Sequence, residues 1–135
     1  MPFVLDNSVV CGWLLENQST TYSTANVERL TVDQAVAPFL LRLEYTNVLR
    51  TACKRSRIIA QQAQEALKHL AELPIEFDRE LPDASQLLAL SLRYDLTSYD
   101  AAYLELALRR QLPVATQDAA LAEAARVAGV GVVEG

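Results

Sequence analysis

Four carboxylates stand out because nothing beside them in the chain neutralises them: Asp6, Glu44, Asp100 and Asp118. On a helix, a surface acid often meets a base three or four residues away. Glu65 and Glu72 both have Lys68 at that spacing, Glu105 has Arg109 and Glu123 has Arg126. The others differ. Glu44 has Leu40, Leu41, Asn47 and Val48, Asp100 has Leu96, Thr97, Tyr103 and Leu104, and Asp118 has Val114, Ala115, Leu121 and Ala122. A half-buried carboxylate without a base is costly unless something cationic is present, and convergence of several makes the need sharper. A divalent cation is the simplest answer. Carboxylates without His or Cys suit Mg²⁺ or Mn²⁺ rather than zinc. Such an ion usually acts on phosphate groups, where it orients a water, lowers its pKa and offsets charge on the phosphate oxygens. Ser8, Asn47, Thr97, Ser98 and Thr116 flank the acids and could orient the carboxylates or the water, although each also suits a helix cap.

The elements must bring these residues together. "FVLD" (3–6), "AVAP" (35–38), "IEF" (75–77), "PVAT" (113–116) and "VGVV" (130–133) read as short buried strands. Between them, helical patterns run over 8–15, 19–32, 39–56, 60–72, 82–94, 99–110 and 119–128, the last ending at Gly129. Pro82 is expected in the first turn of its helix. Alternation of short apolar strands with helices implies a parallel sheet covered on both faces. Ligands of such folds bind at the carboxyl ends of the strands. Asp6 ends the first strand and Asp118 lies two residues past the fourth. Glu44 and Asp100 sit on helices that can start at the same edge. Each acid also has a plainer reading. Asp6 and Asp118 fit N-caps, Thr97-x-x-Asp100 fits a capping box, and Glu44 fits a solvated helix acid.

Other chemistries find little support. The single histidine, His69, lies in "EALKHLAE", a helix-face setting, so Ser-His-Asp and Cys-His systems are set aside. Cys11 and Cys53 sit in apolar segments and read as free core thiols. There is no Gly-rich phosphate loop. Ser8 stands where a haloacid-dehalogenase-like phosphatase needs a second Asp, and no lysine follows Lys68, as a receiver domain requires. A chain of 135 residues, 51% hydrophobic and 21% charged, reads as one globular domain over 1–135. The N-terminus "MPFVLD" lacks a signal-peptide pattern and no run approaches a membrane span, so the expected location is cytoplasmic. The net charge of −5 argues against a broad basic binding surface, but acids gathered around metal ions carry charge that the metals offset. Arg50, Lys54, Arg55 and Arg57 form one basic cluster, readable as a solvated helix end or as an RNA-backbone contact.

The order "VLDNS", "LEYTNVL", "LTSYDAAYLELA" and "LPVATQDAALAEAA" resembles the PIN-domain ribonucleases. More narrowly, it resembles the VapC-type toxins of bacterial and archaeal type II toxin–antitoxin systems. The match runs nearly end to end and is strongest in "SYDAAYLELA" and "ATQDAAL". The resemblance implies an α/β/α sandwich with a central parallel sheet of about five strands. It implies hydrolysis of RNA phosphodiesters with Mg²⁺ or Mn²⁺, with Asp6, Glu44, Asp100 and Asp118 as the acidic quartet. Asp6 and Asp100 would be the firmest metal ligands, with Glu44 and Asp118 acting partly through water. Thr116, Ser8 and Asn47 match supporting polar positions. The family also implies homodimerisation and a small cognate antitoxin. The alternative is a PIN-like module that holds RNA or protein without cutting.

Overall fold

Runs of small and branched apolar residues form the strands. The computed structural model describes residues 2–14, 33–80 and 82–134. Within them, β1 is Phe3–Leu5, β2 Ala35–Pro38, β3 Ile75–Asp78 and β4 Val114–Ala115. All pairings are parallel, in the order β3-β2-β1-β4. A strand covered on both faces reads as a continuous apolar run, and Phe3, Val4 and Leu5 are all buried. The expected fifth strand contributes only a bridge between Val132 and Val114. Gly131, inside that run, has φ of +83°, a left-handed conformation that interrupts extended chain. The sheet among the described residues therefore has four strands rather than about five.

Helix α1 spans Asn7–Leu14, α2 Leu40–Lys54, α3 Ala60–Glu72, α4 Ala84–Tyr94, α5 Ser98–Arg110 and α6 Ala119–Ala128. The helix expected over 19–32 falls outside the described residues. Pro82 stands before its helix and not in the first turn, because Asp83 is the cap and accepts from the Ser85 amide at 3.4 Å. Helix α2 is shorter than the 39–56 pattern, stopping where Ser56 turns left-handed at φ +57°. Gly129, at φ +87°, ends α6 as its sequence suggests.

The helices form two layers. α2 packs on α1 and α3, while α5 packs on α4 and α6. Arg109 and Arg110 of α5 reach Asp78 and Glu76, whereas Arg42 of α2 lies 4.1 Å from the Phe77 ring centre. Alternate strand residues face opposite ways, so α2 and α5 cover opposite faces of the sheet. Helix α2 buries one stripe, Leu41, Tyr45 and Leu49. In α5 every residue from Ala101 to Ala107 is buried, so that helix is central. The α/β/α architecture implied by the resemblance is present.

The strand order also sets the place for a site. From β1 the chain passes to β2 on one side, and β4 later fills the other side. The direction of winding thus reverses between β1 and β4, and such a switch point opens a crevice at the carboxyl ends of the strands. Leu5 is level with Ala115, which puts Asp6 and Thr116 at that rim. Among the described residues no helix is long and apolar enough to cross a membrane.

Candidate metal centre

Asp6 follows the last residue of β1 and is only 5% exposed. Two hydroxyls hold it. Ser8 Oγ and Thr116 Oγ1 each donate to the same oxygen, Oδ2, at 2.7 Å. Each hydroxyl in turn accepts from a backbone amide of the turn after β4. The Gln117 N–H donates to Ser8 Oγ at 2.9 Å, and the Asp118 N–H donates to Thr116 Oγ1 at 3.0 Å. Each hydroxyl thus accepts from an amide and gives its one proton to Asp6. The other carboxylate oxygen, Oδ1, takes no part in these two bonds. Burial raises the Asp6 pKa, and the bonds from Thr116 and Ser8 oppose that rise.

Glu44 lies on the first turns of α2, half-buried on the shoulder of the apolar stripe. Its Oε1 accepts from the Tyr103 hydroxyl at 2.6 Å. Tyr103 belongs to α5, on the other face of the sheet, and is fully buried. The two helical layers thus meet through this bond. Burial raises the Glu44 pKa, the Tyr103 bond lowers it, and the Asp6 charge raises it again. Tyr103 itself is held protonated, first by burial and then by the charges of Asp6 and Glu44, so it acts as the donor.

Asp100 stands in the first turn of α5. Thr97 is the N-cap and accepts the Asp100 backbone N–H at 3.1 Å. The capping reading is therefore right for Thr97, while the Asp100 carboxylate is left for other work. That carboxyl is pushed up to about 6, first by burial and then by the charges of Asp118, Asp6 and Glu44. Asp118 caps α6, its Oδ1 accepting from the Leu121 N–H at 2.9 Å. The cap and site readings of Asp118 are compatible, since a cap uses one oxygen and leaves the second.

The four acids therefore share one space. Among the described residues, no Lys or Arg contributes to the charge environment of Asp6, Glu44 or Asp100. A contrast lies elsewhere in the molecule. Buried Asp78 and Glu105 are both met by Arg109, with Arg109 Nε 2.7 Å from Glu105 and Nη2 2.5 Å from Asp78, and Arg110 adds a contact to Asp78 at 3.0 Å. Burial alone would raise Asp78, but the bonds from Arg109 and Arg110 outweigh it and hold its pKa below the ordinary value. Among the described residues, bases meet buried Asp78 and Glu105, and none contributes to Asp6, Glu44 or Asp100. Glu105, which spacing alone placed in a surface pair with Arg109, is in fact buried.

The donor chemistry of the four acids fits a hard cation: oxygen atoms, converging charge and, among the described residues, no base on Asp6, Glu44 or Asp100. Among the described residues, no three or more His, Cys, Asp or Glu side chains stand close enough together to hold one ion between them. Mg²⁺ commonly keeps several waters and takes only one or two protein carboxylates directly. Cys11 is not a competing ligand. Burial, with the charges of Asp6 and Glu44, pushes its thiol up to about 11, and its Sγ faces Asn7 Oδ1 at 3.7 Å. His69 is exposed on α3.

The supporting residues divide. Ser8 and Thr116 touch Asp6 directly. Thr97 serves the Asp100 amide rather than its carboxylate. Ser98 and Asn47 are exposed, and neither hydrogen-bonds to one of the four acids among the described residues. The exposed basic cluster Arg50, Lys54, Arg55 and Arg57 lies toward and past the other end of α2. Arg50 and Lys54 are about 9 and 15 Å from Glu44 along the helix, at 1.5 Å per residue. Sequence reasoning missed Tyr103 and Gln117. Tyr103 stands one turn after Asp100 and so shares its helix face, a spacing that could have found it. The Gln117 contact runs through a backbone amide, which no side-chain pattern announces.

The family model "PIN domain" matches residues 3–127. "Ribonuclease VapC1" from two strains of Mycobacterium tuberculosis, CDC 1551 / Oshkosh and ATCC 25618 / H37Rv, is 37% identical over 90 residues. That match spans 65% of this chain and 65% of those relatives' length. Among solved structures, PAE2754 from Pyrobaculum aerophilum aligns with a TM-score of 0.69 at 19% identity, over 92% of this chain and 84% of that one. VapBC2 from Rickettsia felis, bound to a DNA fragment from their promoter, aligns with a TM-score of 0.63 at 10% identity, over 99% and 98%. At such identities these two show the fold. The family model, matching most of the chain, shows that it belongs to the PIN-domain family.

Proposed function

We propose that this chain is a metal-dependent endoribonuclease toxin of the VapC type, hydrolysing RNA phosphodiester bonds. The observation that carries the proposal is the convergence of four carboxylates at the β1/β4 switch point, with no base in the described structure contributing to the charge environment of Asp6, Glu44 or Asp100. In this reading Asp6, Glu44, Asp100 and Asp118 hold Mg²⁺ or Mn²⁺. Asp6 and Asp100 are the nearest ligands, and Glu44 and Asp118 act partly through water. The ion, when bound, supplies an activated water and offsets charge developing on the phosphate. The chain's own residues do the positioning. Ser8 and Thr116 fix Asp6 Oδ2, so the carboxylate is held in one orientation. The Asp118 cap fixes the start of α6, and the Thr97 cap fixes the start of α5 and hence the place of Asp100.

The relatives support the RNA substrate, and the family resemblance supports a cognate antitoxin, a homodimer and a cytoplasmic location. The test is incubation of RNA with purified protein in Mg²⁺ or Mn²⁺. Wild type cleaves, chelation stops cleavage, and Asp6→Asn and Asp100→Asn each lose activity by about 100-fold or more. Full activity in both variants removes these residues from the site. A second reading, a PIN-like module that binds RNA or protein without cutting, is favoured by the lack, among the described residues, of three such side chains close enough to hold one ion. It predicts that wild-type protein binds RNA and leaves it intact even in Mn²⁺.

A further inference from the structure

The acid cluster includes one bond whose purpose its four carboxylates do not explain. Tyr103 carries a hydroxyl into the centre of the molecule, at full burial, from a helix whose neighbouring positions are apolar. Packing alone would be served by phenylalanine, and a buried hydroxyl without a partner would cost stability. This one has its partner in Glu44, at 2.6 Å. The Asn7 backbone amide also faces the phenol oxygen. Asn7 follows Asp6, Glu44 lies on α2, and Tyr103 stands one turn after Asp100. A single hydroxyl therefore connects the three elements that carry three of the four acids.

We propose that Tyr103 is a positioning residue for the metal centre: its hydroxyl holds Glu44 Oε1 and so turns the second oxygen, Oε2, toward the ion. This rests on the metal-site reading given above. The geometry follows the same rule at Asp6 and Asp118. Asp6 is held by Oδ2, Glu44 by Oε1 and Asp118 by Oδ1. Each of these carboxylates is held by at least one donor of the protein, and Asp6 also by the backbone of Asn7 and Ser8. Asp100 differs: its backbone, but not its carboxylate, is tied by Thr97. Three acids are thus oriented in advance, and the bond from Tyr103 is the one that crosses between the helical layers. Orientation of a ligand by an outer hydrogen bond typically changes metal affinity by about 10- to 100-fold.

The experiment is a double-mutant cycle read by Mn²⁺ binding, through the loss of the free-ion electron paramagnetic resonance signal, in the whole chain without RNA. Tyr103→Phe is expected to weaken Mn²⁺ by about tenfold, at the lower end of that range. Glu44→Gln weakens it too, and adding Tyr103→Phe to Glu44→Gln weakens it no further. A merely structural tyrosine gives additive losses, which overturns the proposal. A second readout needs no change at Tyr103. Mn²⁺ binding to wild type perturbs the near-ultraviolet tyrosine spectrum, because the ion draws charge from the carboxylate that the phenol faces, and Glu44→Gln abolishes that change. A silent spectrum on Mn²⁺ binding overturns the proposal even if Tyr103→Phe fails to fold. Mn²⁺ held equally by wild type and Tyr103→Phe removes the role and leaves the metal site standing. Wild-type protein that takes up no Mn²⁺ removes the site and the role together.

Discussion

Asp100 is an acid that burial, and then the other three, make reluctant to ionise. Its carboxyl is raised to about 6 from an ordinary 3.8, by burial and then by Asp118, Asp6 and Glu44. Between those two values the folded chain binds more protons than the unfolded chain. Without metal, the contribution of Asp100 to stability therefore declines as pH rises through this window and is flat above it. Asp100→Asn should melt higher than wild type near neutral pH in chelator, and the gain should shrink as the pH is lowered toward 3.8. Calorimetric melts across that range check this, and a gain that does not depend on pH would rule out the electrostatic cause. In the proposed metal-site reading, activity should move the other way, since Asp100 would then be a metal ligand. At Asp6, Thr116→Val keeps the shape and removes a donor 2.7 Å from Oδ2. Metal-supported RNA cleavage should fall by about 10- to 100-fold, with a smaller loss for Mn²⁺ affinity than Asp6→Asn causes.

Among the elements, α5 carries two opposite kinds of acid chemistry. Its first turn presents Asp100 without a base, and its last turns bring Arg109 and Arg110 to Asp78, Glu105 and Glu76. Arg109→Ala would leave Asp78 and Glu105 buried without their main cation, a loss of about 3–5 kcal/mol. The pH dependence has a definite sign. Asp78 is held below its ordinary value, so its pairing stabilises the fold above about pH 4 and fades as acid protonates it. Denaturant melts of wild type and Arg109→Ala should therefore converge in acid, and parallel curves would show that the arginine acts only by packing. Much of α5 was legible in sequence. The hydroxyl start at Thr97, the apolar run and the cations at the end all follow helix rules. The burial of Glu105 was not legible, because its partner Arg109 is shared with Asp78 of β3, 31 residues away, and spacing on one helix cannot report a contact across a sheet.

For the whole molecule, the parallel order of β1, β2 and β4 follows from short apolar runs alternating with helices, and the rim position of Asp6 and Asp118 follows from that order. This much the pattern of residues could state. The extent of the sheet it could not, because Val130–Val133 has the composition of a strand and only the left-handed backbone at Gly131 prevents one. The hydroxyl network on Asp6 was half legible: Ser8 and Thr116 were visible as residue types, while the amides that aim them belong to a turn. If the cluster holds a cation, Mn²⁺ should raise the midpoint of thermal unfolding in a saturable way, with about 2.7 kcal/mol at a hundredfold excess over the dissociation constant. Asp6→Asn should remove most of that gain, as followed by circular dichroism.

The pairing of β1 with β4 has a consequence for synthesis of the chain. Asp6 leaves the ribosome more than a hundred residues before the hydroxyl that orients it, Thr116, and the acid Asp118. Domains fold as units once enough chain has emerged. A nascent chain paused before Val114 has no β4, no switch-point crevice and no complete cluster. If the proposed nuclease activity needs all four acids, a copy interrupted before β4 lacks it.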